Sequence, residues 1–312
     1  MKAVRGIAGE VQLVDVDDAP GNGELLTMKS VSICSSDFLY LTFGTTLVVG
    51  HELAGVTADG TAMMVDGLYG CGECELCHAG RPNLCSAMGG NALGASIDGG
   101  MVEQFRAPRG RLVEVPHGLD VRDACLVDAA AVSWHALNLG NAGPGRRVGV
   151  VGAGALGLMA VAGAKHMGVE EVGVEARHPH QREATERLGG TVGVNGLYDV
   201  VIEAAGSPES MSRALEMVAP RGVVVVLGVY MGTVSLDWGV LFNKEASVVP
   251  SLGYCQHNGT SEMIESAKML AANAEIPRTL ITHRFPIEDA VEAFRVAGDR
   301  TTGAIRVVVE PT

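Results

Sequence analysis

The chain has 312 residues, 47% of them apolar, with 42 glycines, a length sufficient for two packed cores. A formal net charge of −13 argues against nucleic acid as a partner, because phosphate backbones are bound largely through Lys and Arg. No window approaches the roughly 20 uncharged apolar residues that cross a bilayer, and the opening stretch MKAVRGIAGEVQLVDVDD has acids where a signal peptide needs a hydrophobic run, so a soluble cytoplasmic protein without a membrane partner is expected.

Residues 1 to about 115 form a series of short β-like runs, such as 10–16 and 110–115, broken by Gly, Pro and Asp clusters, which predicts an all-β, barrel-like domain. Cys34 lies within SICSSD, and His51 and Glu52 follow within VVGHELAG. Spacing alone leaves these three as core residues or as ligands. Further on, Cys71, Cys74, Cys77 and Cys85 stand in CGECELCHAGRPNLC, a C-x2-C-x2-C-x7-C pattern. Thiols stay reduced in a cytoplasmic chain, so cysteines packed this closely point to a metal. Two-residue gaps let neighbouring thiolates converge on one tetrahedral ion, and a short loop returns the fourth. An all-thiolate zinc site has no open coordination position and organises a loop; an iron–sulfur cluster and a zinc-ribbon contact module are the alternatives.

From Arg146 the texture changes. An apolar run at 148–151 meets glycines, then a helix-compatible stretch at 156–167, then a second apolar run at 172–174. Further strands are predicted at 200–204, 223–227 and 246–249, with helices at 210–218 and 260–272, and this alternation implies a parallel, doubly wound sheet. A helix over 287–297 and a strand over 304–309 follow. Gly152, Gly154 and Gly157 in VVGAGALG come after an apolar strand and open a helix, the context in which G-x-G-x-x-G cradles a dinucleotide pyrophosphate. Counting on from Gly157, the position that holds ribose hydroxyls through an acid in NAD sites falls on Ala176, with Arg177 next. A small neutral residue followed by Arg makes room for a 2′-phosphate, with His178 and Arg182 as helpers, so NADP is expected over NAD. Glu175 supports the opposite reading: a register shifted by one would put it on the 2′-hydroxyl.

The order of these elements, over essentially the entire chain, resembles the zinc-containing medium-chain dehydrogenase/reductase family, of the polyol, threonine and glucose dehydrogenase kind. The resemblance implies a GroES-like β-barrel catalytic domain over 1–118 and 284–312, with a Rossmann cofactor-binding domain over 119–283. It also implies hydride transfer between an alcohol, polyol or sugar hydroxyl and NAD(P), two zincs per chain, and a homo-oligomer, dimer or tetramer. Cys34 of the C-x-[ST]-D motif and His51 of G-H-E match the family's catalytic zinc ligands. Aligning LVDAAAVSWHAL puts Asp128 at the third-ligand position, where relatives carry Cys or Glu. Aspartate is one methylene shorter than glutamate and needs a closer backbone or a bridging water; a helix cap near Ala129 is its other reading. Glu52 is then a supporting acid, or a ligand that exchanges with water. Three protein ligands and one open position let zinc polarise a substrate oxygen. Ser36 matches the family's proton-relay Ser or Thr, and Asp37 the acid beside it.

Two departures limit the match. Leu39 stands where many relatives have a relay histidine, which leaves solvent to complete that path, and Tyr40 stands where polyol-type relatives often place a substrate-facing aromatic. The segments from Cys34 to His51 and from Glu52 to Cys71 are also shorter than is usual in the family. Glu203-Ala204-Ala205-Gly206, Gly228 and Arg306 match later segments without an assigned role. Two other functions stay open: an NADPH-dependent aldehyde or ketone reductase, and a catalytically inactive cofactor-binding protein of the same fold.

Overall fold

The computed structural model describes all residues, Met1–Thr312. They form two compact units, Met1–Asp128 with Asn258–Thr312, and Ala129–His257. Residues 119–128 and 258–283, expected with the cofactor domain, therefore pack with the first unit. Ser30 Oγ donates to the Val121 carbonyl at 2.7 Å, Arg284 Nη1 donates to the Arg122 carbonyl at 2.9 Å, and the helix Glu275–Leu280 leads directly into the strand Ile281–Pro286.

In the first unit the strand Glu24–Ser32 is the hub. It pairs antiparallel with Glu52–Val56, Gln104–Ala107 and Arg306–Glu310, and the sheet extends through Ala62–Val65 to Leu112–Glu114 on one side and to Ile281–Pro286 on the other. Lys2–Ile7 and Glu10–Asp15 form a separate hairpin, turning at Ala8 and Gly9, both in the left-handed region. Leu26, Met28 and Val31 are buried against Val4, Phe105 and Val309. Truncating a residue such as Leu26 to Ala in a core of this kind costs about 2–5 kcal/mol. The strand expected over 110–115 is shorter, because Pro108 leads into a 3-10 turn at Arg109–Arg111 before Leu112–Glu114 begins.

The second unit is a six-stranded parallel sheet. Its spatial order is Thr191–Val192, Val172–Glu175, Val148–Val151, Tyr198–Glu203, Val218–Val226, Ser247–Pro250. In chain order that is 3-2-1-4-5-6, so the winding reverses beside Val148–Val151, and ligands bind outside the carboxyl ends of strands at such a reversal. The helices Ala155–His166 and Pro208–Met217 lie close to their expected bounds. Val218–Val226 starts well before the expected 223, running on from the preceding helix. Arg221 there is left-handed at φ +60°, and the pairing register with Tyr198–Glu203 shifts at its start. Tyr198 is fully buried, and Gly149 and Gly173 make room for its ring while its hydroxyl accepts from Asn195 N at 3.0 Å. No helix is long and apolar enough to cross a membrane.

Candidate active site

The strand Glu24–Ser32 ends two residues before Cys34, which caps the helix Ser35–Thr42. That helix is not legible in the sequence, since Cys is not a usual N-cap and the segment spans only 8 residues. Asp37 supplies what the cap lacks: its Oδ2 accepts from Cys34 N at 2.8 Å. Its other oxygen, Oδ1, stands 3.2 Å from His51 Nδ1. One fully buried carboxylate thus fixes both the backbone of Cys34 and the ring of His51. With Nδ1 facing Asp37, Nε2 is left as the donor for an ion, the arrangement in which a carboxylate sets the tautomer of a metal-binding histidine. Burial alone would lower the His51 pKa, but the Asp37 and Cys34 charges and hydrogen bonds hold it well above the ordinary value.

The donor atoms of Cys34, His51 and Glu52 lie within 4.8 Å of one another. One thiolate, one imidazole and one carboxylate suit zinc chemically. Asp128, expected as the third donor, is not in that group. It sits inside the first turn of the helix Leu126–Leu139 rather than capping it, and its Oδ2 lies 3.4 Å from where a Gly67 Cβ would stand, beside the His51 carbonyl. Glu52 also accepts from Arg306 Nη1 at 2.7 Å, with both side chains buried. Ser36 Oγ is 3.1 Å from His51 Nε2. Tyr40 lies edge-on to the His51 ring at 5.9 Å and shares a side-chain hydrogen bond with Ser36; burial pushes its hydroxyl pKa up.

Cys71, Cys74, Cys77 and Cys85 also bring their donor atoms within 4.8 Å of one another. Cys71 and Cys77 Sγ are 3.9 Å apart, and Cys74 and Cys85 Sγ 3.7 Å. Four thiolates about 2.3 Å from a tetrahedral zinc would stand about 3.8 Å apart, so the spacing fits the ion. Backbone N–H groups of Cys71 and Ala87 hold the Cys85 thiol down to about 6, while desolvation pushes Cys77 up to about 11. Gly70 packs against the cluster where a Cβ would lie 2.5 Å from Cys77 Sγ.

In the second unit the three glycines of the turn have distinct duties. Gly152 is left-handed at φ +101°, and a side chain on Gly157 would collide with the Gly152 carbonyl oxygen. Gly154, the N-cap of Ala155–His166, has nothing within 4 Å of its missing Cβ, which is the open space a pyrophosphate needs over a helix N-terminus. Beyond Val172–Glu175, Ala176 is buried and Arg177 exposed, and Arg182 Nε donates to the Ala176 carbonyl at 3.2 Å. Glu175 is held by Arg213, a partner 38 positions away that no sequence signal identified.

A dinucleotide turn on a parallel sheet and metal donors on a separate β-sheet unit make this chain a zinc-dependent, NAD(P)-linked oxidoreductase of the kind that acts on alcohols, polyols and sugars. Residues 21–117 match the alcohol dehydrogenase GroES-like domain, and residues 155–271 match the zinc-binding dehydrogenase family. The chain belongs to the zinc-type medium-chain dehydrogenase/reductase family. It is 27% identical to L-idonate 5-dehydrogenase (NAD(P)(+)) of Escherichia coli over 92% of each chain, and 28% identical to L-galactonate-5-dehydrogenase of the same organism over 88% of each. Among solved structures, a Sinorhizobium meliloti protein bound to NADP superposes over 99% of each chain, with a TM-score of 0.87 and 26% identity.

Proposed function

We propose that the chain oxidises a secondary hydroxyl of a polyol or sugar derivative, with Cys34, His51 and Glu52 as the donors for a catalytic zinc and NADP as the preferred acceptor. The carrying observation is the convergence of those three donor atoms within 4.8 Å. Asp128, whose carboxylate stands outside the three converging donors, is not needed to hold the ion in this reading. The groups this site would hold supply Lewis-acid polarisation of the substrate oxygen and acceptance of a hydride. The residues do the rest. Asp37 keeps His51 and Cys34 in place. Ser36 Oγ, beside His51 Nε2, takes the hydroxyl proton as the C–H bond breaks and passes it through Tyr40 or solvent, since Leu39 has no proton to relay.

The four-cysteine lobe holds a second, structural zinc. The glycine turn binds the pyrophosphate, and Arg177 with Arg182 faces a 2′-phosphate. The names of the relatives that act on idonate and galactonate, and the NADP in the Sinorhizobium structure, support the substrate class and the cofactor. All seven cysteines are free, as suits a reducing cytoplasm. A homo-oligomer is supported by Trp238 and Phe242, 73% and 72% exposed and one turn apart on a helix that leads into the outermost strand of the parallel sheet.

The experiment is a screen of alcohols, polyols, aldoses and aldonates, followed by nicotinamide absorbance with both cofactors. Oxidation of polyols or sugar acids with the higher kcat/KM on NADP is expected. Turnover confined to aldehyde or ketone reduction, or no turnover with zinc bound, would reject the reading.

A further inference from the structure

The acid at the end of the second strand of a dinucleotide-binding sheet has two effects. It accepts hydrogen bonds from ribose hydroxyls, and its charge rejects a 2′-phosphate at the same place. Glu175 ends that strand here, paired in register with Val151 just ahead of the glycine turn. It stands one residue before the buried Ala176 and two before the exposed Arg177. An unpartnered carboxylate at this point would oppose a phosphorylated ribose.

It is not unpartnered. Arg213, on the helix Pro208–Met217, donates from Nε to Glu175 Oε1 at 2.6 Å, and from Nη1 to Glu216 Oε2 at 2.8 Å. The guanidinium therefore bridges two carboxylates from different elements, and Glu216 limits how far it can swing away. Arg177 lies outside this bridge. Its backbone N–H, with that of His178, is occupied by Gln181 Oε1, so what it offers an anion is its side chain.

We propose that Arg213 is a specificity-determining residue: by pairing with Glu175 it offsets the negative charge that would turn away a 2′-phosphate, and so leaves Arg177 to select the phosphorylated dinucleotide. This rests on the NADP reading above. The role is indirect, acting through the carboxylate that Arg213 occupies. Without it, the Glu175 carboxylate is left without its counter-charge and becomes available to ribose hydroxyls, which favours the unphosphorylated ligand.

The test reads binding rather than turnover, by calorimetric titration of the full chain with adenosine 2′,5′-bisphosphate and adenosine 5′-monophosphate. Wild type is expected to bind the bisphosphate more tightly. Arg213→Met should reduce the ratio of the two affinities by about tenfold or more, since it sets an uncompensated carboxylate beside the 2′-phosphate and like charges there oppose binding. Adding Glu175→Gln to that variant should restore most of the ratio, whereas Glu175→Gln alone should leave it near the wild-type value. Should Arg213→Met not fold, Arg213→Lys, which keeps the charge but loses the bridge to Glu216, should lower the ratio in part. A wild type that prefers the bisphosphate with a ratio indifferent to residue 213 would overturn the role of Arg213 and leave the NADP reading standing. A wild type that prefers the monophosphate would overturn both.

Discussion

Arg306 Nη1 and Glu52 Oε2 are 2.7 Å apart although 254 positions separate them in the chain, and both side chains are buried. Burial works against the Arg306 charge, but the Glu52 carboxylate and the Cys34 thiolate outweigh it and raise the guanidinium pKa further. Removing one partner of such a pair strands the other. Arg306→Met should therefore destabilise the fold by about 3–5 kcal/mol, read as a lower denaturation midpoint. The double variant with Glu52→Gln should recover part of the loss, and an unchanged midpoint in the single variant would show that Glu52 needs no counter-charge.

Asp37 is fully buried, and it touches two of the three converging residues, Cys34 through its backbone N–H and His51 through its ring. Asn in its place offers one carbonyl and one amide, so either Cys34 N–H or His51 Nδ1 meets a donor where it had an acceptor. A His51 forced to carry its proton on Nε2 cannot present that nitrogen to an ion. Asp37→Asn should weaken zinc binding at this site by about 10–100-fold, the usual effect of losing a supporting hydrogen bond to a ligand. Competition with a chromogenic chelator measures it, and an affinity equal to wild type would contradict the bracing role.

Thiol chemistry separates the lobe from the core. Burial pushes the Cys125 thiol up to about 12, which makes it inert at neutral pH, while Cys85 stands at about 6. Alkylation followed by peptide mapping should label Cys71, Cys74, Cys77 and Cys85 only after strong chelation. Cys125 should stay unlabelled in the folded chain throughout. Full labelling of the lobe before chelation would argue that no metal is held there.

Trp238 and Phe242 leave a large apolar area on one face of a short helix. If that face lies in a subunit contact, Trp238→Lys with Phe242→Glu should shift the sedimentation coefficient to that of the monomer while the circular dichroism spectrum stays unchanged. A monomeric wild type would remove the need for any partner.

The parallel sheet was legible because its strands are continuous apolar runs and its glycine turn follows one of them at a fixed offset, so Val148–Val151 and Ala155–His166 could be read locally. The four-cysteine lobe was equally local. What sequence could not reveal were side chains joined only by folding, namely Arg213 with Glu175, Arg306 with Glu52, and Asp37 with His51. Each pairing depends on which helices and strands the fold sets side by side. The helix Ser35–Thr42 was missed for a different reason: its cap is a cysteine helped by an aspartate three residues on, a pattern with no distinctive composition. Glu52 rather than Asp128 joins Cys34 and His51 in the converging group, a grouping that counting along the chain could not give, since counting places a residue type and not the direction in which its side chain leaves the element.

The most direct test of the account is the zinc content of the purified chain and of Cys34→Ser, determined by elemental analysis and normalised to folded protein. Two zincs per chain are expected in the wild type and one in the variant, with the lobe still loaded and hydride transfer lost. One zinc in both proteins, or a variant that keeps two together with full turnover, would contradict a catalytic ion held by Cys34.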